Sequence, residues 1–283
     1  METIAEYFEQ IPSLHRGLIL AGGIALFWII EDWLPSRTFE YHKWRHAGIN
    51  IFFTATTIAV NFALAFVLLM TARWCETNTF GLLYLVELNP WISMLVGLLL
   101  LDFIGAYLAH YIQHKNSWMW RFHLIHHTDT WVDTTSANRH HPGESVVRFA
   151  MTVLAVFVTG APMWMVFLYQ SLSVVFSQFN HANISLPAAI ERVAGWIFVT
   201  PDMHKVHHHY LLPYTDSNYG NIFSIWDRLF GTLRHLPARE VVFGVDTHME
   251  PRDHNHLASL LRIPFREYRK ALAPAAEKKF GDD

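Results

Sequence analysis

Ala47 to Ala72 is a run of 26 residues with no Asp, Glu, Lys or Arg. At about 1.5 Å per helical residue it is long enough to cross a hydrocarbon layer of ~30 Å. The alternative, a buried helix of a soluble protein, would need an unusually deep core. Leu88 to Ala109 forms a second such stretch, interrupted only by Asp102. Gly17 to Ile30 is shorter, and with Trp33 and Leu34 it reaches a tilted or thin-bilayer span. Phe149 to Asn180 is uncharged for 32 residues and is broken near its middle by Thr159-Gly160-Ala161-Pro162. Gly and Pro in an apolar run mark the tip of a helical hairpin.

The spacing therefore predicts an all-α integral membrane protein. It has about four membrane-embedded helices, two of them a hairpin, and a helical cytosolic cap. Charged residues make up only 16% of the chain, against about 25% in soluble domains. A net charge of −3 disfavours a nucleic-acid partner. The single cysteine, Cys75, leaves no Cys-based metal cluster. Basic residues set the expected orientation. Arg37, Lys43 and Arg45 follow the first span, only Arg73 follows the second, and Lys115, Arg121, Arg139 and Arg148 follow the third. The N-terminus is then outside, and His110 to Arg148 lies inside. The hairpin returns His181 to that same side. The first ten residues hold Glu2, Glu6 and Glu9 without a basic residue, so no cleavable signal peptide is expected. From about Ala271 the chain reads as a solvated tail.

Histidine is the second anomaly: 19 residues, twelve of them between His110 and His209. His110 and His114 are four apart and share one helical face. His123, His126 and His127 form H-x-x-H-H, and His204, His207 and His208 repeat it. Each triplet can turn two or three imidazoles to a common point. Eight imidazoles exceed what one ion takes, so two metal ions are the natural count. His141 precedes the hairpin and His181 follows it, which puts both at the depth of the clusters. His140 reads as an orienting or solvent-facing neighbour, and His209 as pointing away. His15, His42, His46, His235, His248, His254 and His256 lack cluster spacing and read as ordinary surface or interfacial residues.

Imidazole suits zinc, copper, iron and nickel. A zinc hydrolase needs a carboxylate base, and no H-E-x-x-H occurs. A thiol-free, carboxylate-poor dinuclear site favours oxygen activation at iron. A non-catalytic metal-binding or metal-transport protein is the main alternative, though transporter ligands belong near the bilayer midplane, not at span ends. A haem-binding electron carrier would not need eight histidines.

The three histidine clusters resemble the histidine boxes of the membrane fatty acid hydroxylase/sterol desaturase superfamily. Further motifs are similar to its bacterial sterol-desaturase-like branch. They are Arg139-x-His141-Pro142-Gly143-Glu144, His181-Ala182-Asn183-Ile184, Thr200-Pro201-Asp202-Met203-His204, Thr215-Asp216-Ser217-Asn218-Tyr219-Gly220-Asn221 and Trp226-Asp227-Arg228-Leu229-Phe230-Gly231-Thr232. The resemblance covers roughly residues 90–235. It implies two iron ions held by eight to ten histidines, with His110, His114, His123, His126, His127, His141, His181, His204, His207 and His208 as the candidate set. It also implies O2-dependent hydroxylation or desaturation of a lipid C–H bond. Electrons would come from a separate protein, a ferredoxin or a cytochrome b5 with its reductase. His141-Pro142-Gly143 also resembles the haem motif of cytochrome b5, but Glu144 breaks that pattern.

Asp102 is an ionisable group inside an apolar span, and such a group is functional by default. It lies eight residues before His110, close to the same face and two turns deeper. Two roles are equally open to it: to accept an imidazole N–H and so fix tautomer and ring direction, or to pack helices as a polar residue bound to Tyr107 or to a neighbouring helix. Glu144 is its counterpart at the hairpin, with Asp202 and Asp216 as similar candidates. Asp227 and Arg228 are expected to anchor a terminal helix. Trp118, Trp120, Phe122 and Trp131 are expected to form an interfacial belt. The domain reading is membrane helices over 1–90, a hydroxylase-like domain over 91–235 and a cytosolic segment over 236–283. The expected location is a bacterial inner membrane, with the site on the cytoplasmic side.

Overall fold

The apolar stretches form helices because a bilayer offers no water to the backbone, so each N–H and C=O must be paired within its own segment. In the computed structural model, which describes residues 1–266, the elements are α1 (Glu2–Glu9), α2 (Ser13–Trp33), α3 (Lys43–Thr77) and α4 (Pro90–Asp102). A π-helical turn (Phe103–Leu108) joins α4 to α5 (Ala109–Lys115), and α6 (Ser117–His127) follows. Then come α7 (Pro142–Thr159), α8 (Met163–His181), α9 (Ala188–Ala194), α10 (Pro201–His207), α11 (Ile225–Leu229), α12 (Pro251–His254) and α13 (Leu257–Arg262). Among the described residues the only β pairing is two isolated bridges, Phe198 to Phe223 and His209 to Phe243. The expected tail from Ala271 lies outside the described residues.

Four segments are long and apolar enough to cross a membrane: Ser13–Trp33, Lys43–Tyr84, Pro90–Lys115 and Pro142–Thr159. Their outward faces carry large apolar side chains such as Phe62, 84% exposed, and Phe66, 69% exposed. A water-soluble helix would bury such a stripe, and here it faces lipid. The chain is an all-α membrane protein.

The hairpin of α7 and α8 closes as its sequence implies. Gly160 takes φ +70° in the left-handed region, and a Cβ there would stand 2.4 Å from the Phe80 carbonyl oxygen. The hairpin tip thus abuts the turn that follows α3, so it reaches the far end of the bundle. Leu68, Leu98, Leu101, Phe149, Val156 and Met165 pack α3, α4, α7 and α8 together. Lipid tails are as apolar as these side chains, so close contact rather than water exclusion holds this part. Gly97 shows the closeness: a Cβ there would meet Met165 Sδ at 2.2 Å.

A second core, of Phe53, Trp120, Leu124, Ile125, Val245, Leu260 and Ile263, docks α6 and the C-terminal helices against the start of α3. The end of α5, the start of α7 and the end of α8 all lie at this same end of the bundle. That common end is where the histidines gather.

Candidate metal centre

Two sets of buried imidazoles lie side by side. His110, His114, His123, His127 and His207 offer nitrogens within 4.8 Å of one another, and so do His126, His181, His204 and His208. The division follows helical geometry. In each H-x-x-H-H triplet the i and i+4 residues turn to one set and the i+3 residue to the other. So α6 gives His123 and His127 to the first set and His126 to the second. At the third cluster, α10 and its C-cap give His204 and His208 to the second set, and α10 gives His207 to the first. The rings touch across the divide, with His127 and His208 stacked at 4.8 Å and His123 and His126 at 5.3 Å.

Acceptors behind the rings decide the tautomers. His110 Nδ1–H donates to the Tyr219 carbonyl at 2.9 Å, and His207 Nδ1–H to the Ser217 carbonyl at 2.6 Å. His181 Nδ1–H donates to the Ser177 carbonyl at 2.7 Å, and His123 Nδ1–H to Glu144 Oε1 at 2.8 Å. A carbonyl or carboxylate oxygen only accepts, so each of these rings carries its proton on Nδ1 and a lone pair on Nε2. Nε2 of His110 and Nε2 of His123 are nevertheless only 3.0 Å apart. Nε2 of His181 faces three others, those of His126, His204 and His208, at 3.1, 3.0 and 3.2 Å. One nitrogen cannot satisfy three by hydrogen bonding, and facing lone pairs repel. Nε2 of His114 and of His207 are buried without a partner as well. A cation within each set resolves every one of these contacts, so the donors fit metal ions.

Burial keeps the rings neutral, as ligands must be. Burial and neighbouring imidazoles hold His126, His127, His204 and His208 well below the usual histidine range. Burial pushes His207 down to about 3.

His141 lies outside both sets. Its Nδ1 accepts the Gly143 N–H at 2.9 Å, which caps α7, and its ring packs on Phe122. Pro142 at the first helical position explains this: the histidine just before it becomes the N-cap. The neighbouring His140 is the one turned inward. Its Nδ1 lies 3.0 Å from Glu144 Oε1 and its ring 5.0 Å from that of His126.

Asp102 reaches no imidazole. It accepts from Trp226 Nε1 at 3.0 Å and from the main-chain N–H groups of Ile222 and Phe223 at 3.3 Å each. The cause is the π turn over Phe103–Leu108, whose wider winding changes the angle between Asp102 and His110. Asp102 instead pins the segment that follows Tyr219. Asp227 does the same from the other side, accepting the N–H groups of Tyr219 and Gly220 at 2.8 Å each. Asp216 lies 3.4 Å from His114 Nδ1 and pairs with Lys115. Asp202 serves Ser185 and Lys205. Arg228 donates to the Gly195 carbonyl at 2.7 Å. Of the aromatics, Trp120 packs on His114 and His127, whereas Trp118 is 58% exposed.

His46 and His254, read from sequence as surface or interfacial, are buried. His46 Nε2 lies 2.8 Å from Asp129 and Nδ1 lies 3.2 Å from Asp133. Burial alone would raise the Asp129 carboxyl, but His46 and Arg139 hold it well below the usual carboxylate range. Asn50 and Arg139 complete this network, which ties the start of α3 to the loop after α6. Glu31 at the end of α2 joins in by accepting the N–H groups of Thr134 and Asn183. The sequence signal was present in Asp129, Asp133 and Arg139 following the second cluster. Their partners lie some 80 to 100 residues away.

Residues 94–232 match the model of the family described as fatty acid hydroxylase. These residues belong to the fatty acid hydroxylase family. The matched stretch holds every member of both imidazole sets. The chain is similar to the ornithine lipid hydroxylase of Rhizobium tropici, 28% identical over 145 residues, which is 51% of this chain and 43% of that protein. It is similar to the alkylglycerol monooxygenase of Caenorhabditis elegans, 27% identical over 146 residues, 51% of this chain and 27% of that protein. The human alkylglycerol monooxygenase is 29% identical over 258 residues, 87% of this chain and 52% of that protein. The chain thus spans about half or less of the length of these curated relatives. No solved structure matches it.

Proposed function

We propose that this protein is a membrane-bound non-haem di-iron oxygenase that hydroxylates a C–H bond of a lipid, using O2 and electrons from a separate donor. The observation that carries the reading is the pair of imidazole sets whose Nε2 lone pairs face one another in a buried, thiol-free pocket. The names of the relatives, lipid hydroxylases and monooxygenases, favour hydroxylation over desaturation.

His110, His114, His123, His127 and His207 would hold one ion, and His126, His181, His204 and His208 the other. Bound iron would supply the activation of O2 and the oxidation of the C–H bond. The protein supplies orientation. The Tyr219, Ser177 and Ser217 carbonyls and Glu144 hold four rings by their N–H groups and raise the basicity of the opposite nitrogens. Glu144 Oε1 lies between His123 Nδ1 at 2.8 Å and His140 Nδ1 at 3.0 Å, so one carboxylate orients both rings. The bundle itself would deliver lipid laterally from the bilayer. A ferredoxin or a cytochrome b5 with its reductase would reach the site from the cytoplasm, and in a bacterium the membrane would be the inner one. Within this scheme 1–90 brace the bundle, 91–235 carry the chemistry and, of 236–283, the described residues to 266 cap the cytosolic end.

The test is metal analysis and absorption spectroscopy of purified protein, with lipidomics of cells with and without it. The reading expects about two non-haem irons per chain and a lipid shifted by one oxygen. His126→Ala and His207→Ala should lose both metal and product. Full product formation by a metal-depleted variant, or a haem Soret band, would overturn it.

A further inference from the structure

Arg148 sits on α7 one turn beyond Glu144, within a segment apolar enough to cross the membrane. Its side chain keeps 33% of its exposure, and its guanidinium comes no closer than 4.0 Å to Glu144 Oε1. That carboxylate oxygen is already engaged by His123. Among the described residues no other carboxylate lies within that distance of Arg148. Arg148 lines a cavity of about 30 Å³ whose walls include His110, His126, His181, Ser177 and Asn221.

A half-buried cation beside buried imidazoles is costly unless it is well paired, and Arg148 has one long ion pair, to a carboxylate oxygen shared with His123; metal ions beside it would raise the cost further. Among side chains, the guanidinium fork is the one shaped to take two oxygens of a carboxylate or phosphate at once. The remaining wall is mixed, with Ser177, Asn221 and the imidazole edges beside Ala106, Ala137 and Gly220, so the guanidinium is its one cationic group outside the imidazoles.

We infer that Arg148 receives an anionic oxygen group of the lipid, a carboxylate or phosphate, so that oxidation falls on a carbon near the polar end and not in mid-chain. That the bound lipid is the molecule oxidised rests on the function proposed above, while the anion site does not.

Equilibrium binding to the detergent-solubilised full chain tests the inference with three probes of one chain length: hexadecanoate, hexadecyl phosphate and hexadecanol. Wild type should bind at least one anion about ten-fold or more tighter than the alcohol, and the better anion identifies the source. Arg148→Gln should lose that preference and Arg148→Lys should keep part of it, both with wild-type metal content and melting temperature. Equal binding of all three probes by wild type would overturn the inference, a result that needs no variant to fold. So would an unchanged preference in Arg148→Gln. If the anion preference holds but the iron-loaded protein oxidises no lipid, the proposed function fails and the anion site stands. Where product forms, its oxygen should map near the head group.

Discussion

The Nδ1–H of His110 donates to the main-chain carbonyl of Tyr219, 109 residues away, at 2.9 Å. A helix end in one half of the domain is thereby aimed by a loop from the other. The loop has its own support, since Asp227 accepts the N–H groups of Tyr219 and Gly220. Asp227→Ala should leave those two buried donors unpaired, at a cost of about 1–3 kcal/mol. Through the drift of the Tyr219 carbonyl it should also weaken metal binding by about 10–100-fold. Metal titration monitored alongside a thermal melt checks both, and unchanged affinity would show that His110 is held by something else.

Glu144 plays the corresponding part for His123, with His140 beside it. Glu144→Gln keeps an oxygen that can accept from Nδ1 but loses the charge. Glu144→Ala loses both, and its metal affinity should fall about 10–100-fold. The glutamine variant should lie between wild type and alanine. An order in which glutamine is the worse of the two would mean that the carboxylate does not act through His123.

Asp102 offers the contrast. Its oxygens serve Trp226 and two main-chain N–H groups, not an imidazole. Asp102→Ala should destabilise the protein by about 1–3 kcal/mol for the donors left unpaired, while protein that remains folded keeps its metal. Melting temperature and iron content, measured on the same sample, separate this from a role in aiming a ligand.

The adjacent histidines before α7 should behave differently from each other. His141→Ala removes an N-cap, worth about 1 kcal/mol, and should leave metal content intact. His140→Ala removes a ring that lies against Glu144 and His126 and should lower turnover. Iron content and product yield of the two variants, side by side, test the assignment.

The metal-free protein should lose stability as pH falls. His207 titrates near 6.5 when unfolded and at about 3 when folded, so between those values only the unfolded chain takes up the proton. His126, His127, His204 and His208 shift in the same direction. Thermal melts of metal-stripped protein should therefore decline from pH 7 towards pH 4. A flat profile would mean that the rings are solvated once the metal is gone.

Much of this was legible in one dimension. The uncharged runs announced the helices that face lipid, because a bilayer accepts no unpaired charge and no unpaired backbone. The hairpin was legible from Gly160 and Pro162, and the histidine triplets from helical periodicity. The supports of the imidazoles were not. Main-chain carbonyls such as those of Tyr219, Ser177 and Ser217 have no side-chain signature, and His46 looked isolated because Asp129 lies 83 positions later. Periodicity also failed locally at Asp102, where counting residues assumes an α-helix and the chain makes a π turn.

By itself the amino-acid sequence determined that the chain must lie in a membrane and must carry imidazoles in clusters at the ends of its spans. Both follow from local properties, transfer free energy and the angle between successive residues. Tertiary structure alone decided that each triplet is split between two metal-binding sets and that His140 rather than His141 turns inward. It also decided that Arg148 stands beside the histidines with Glu144, at 4.0 Å, as its one carboxylate among the described residues. Those outcomes depend on which helices meet and at what rotation, which is set by the packing of side chains distant in sequence.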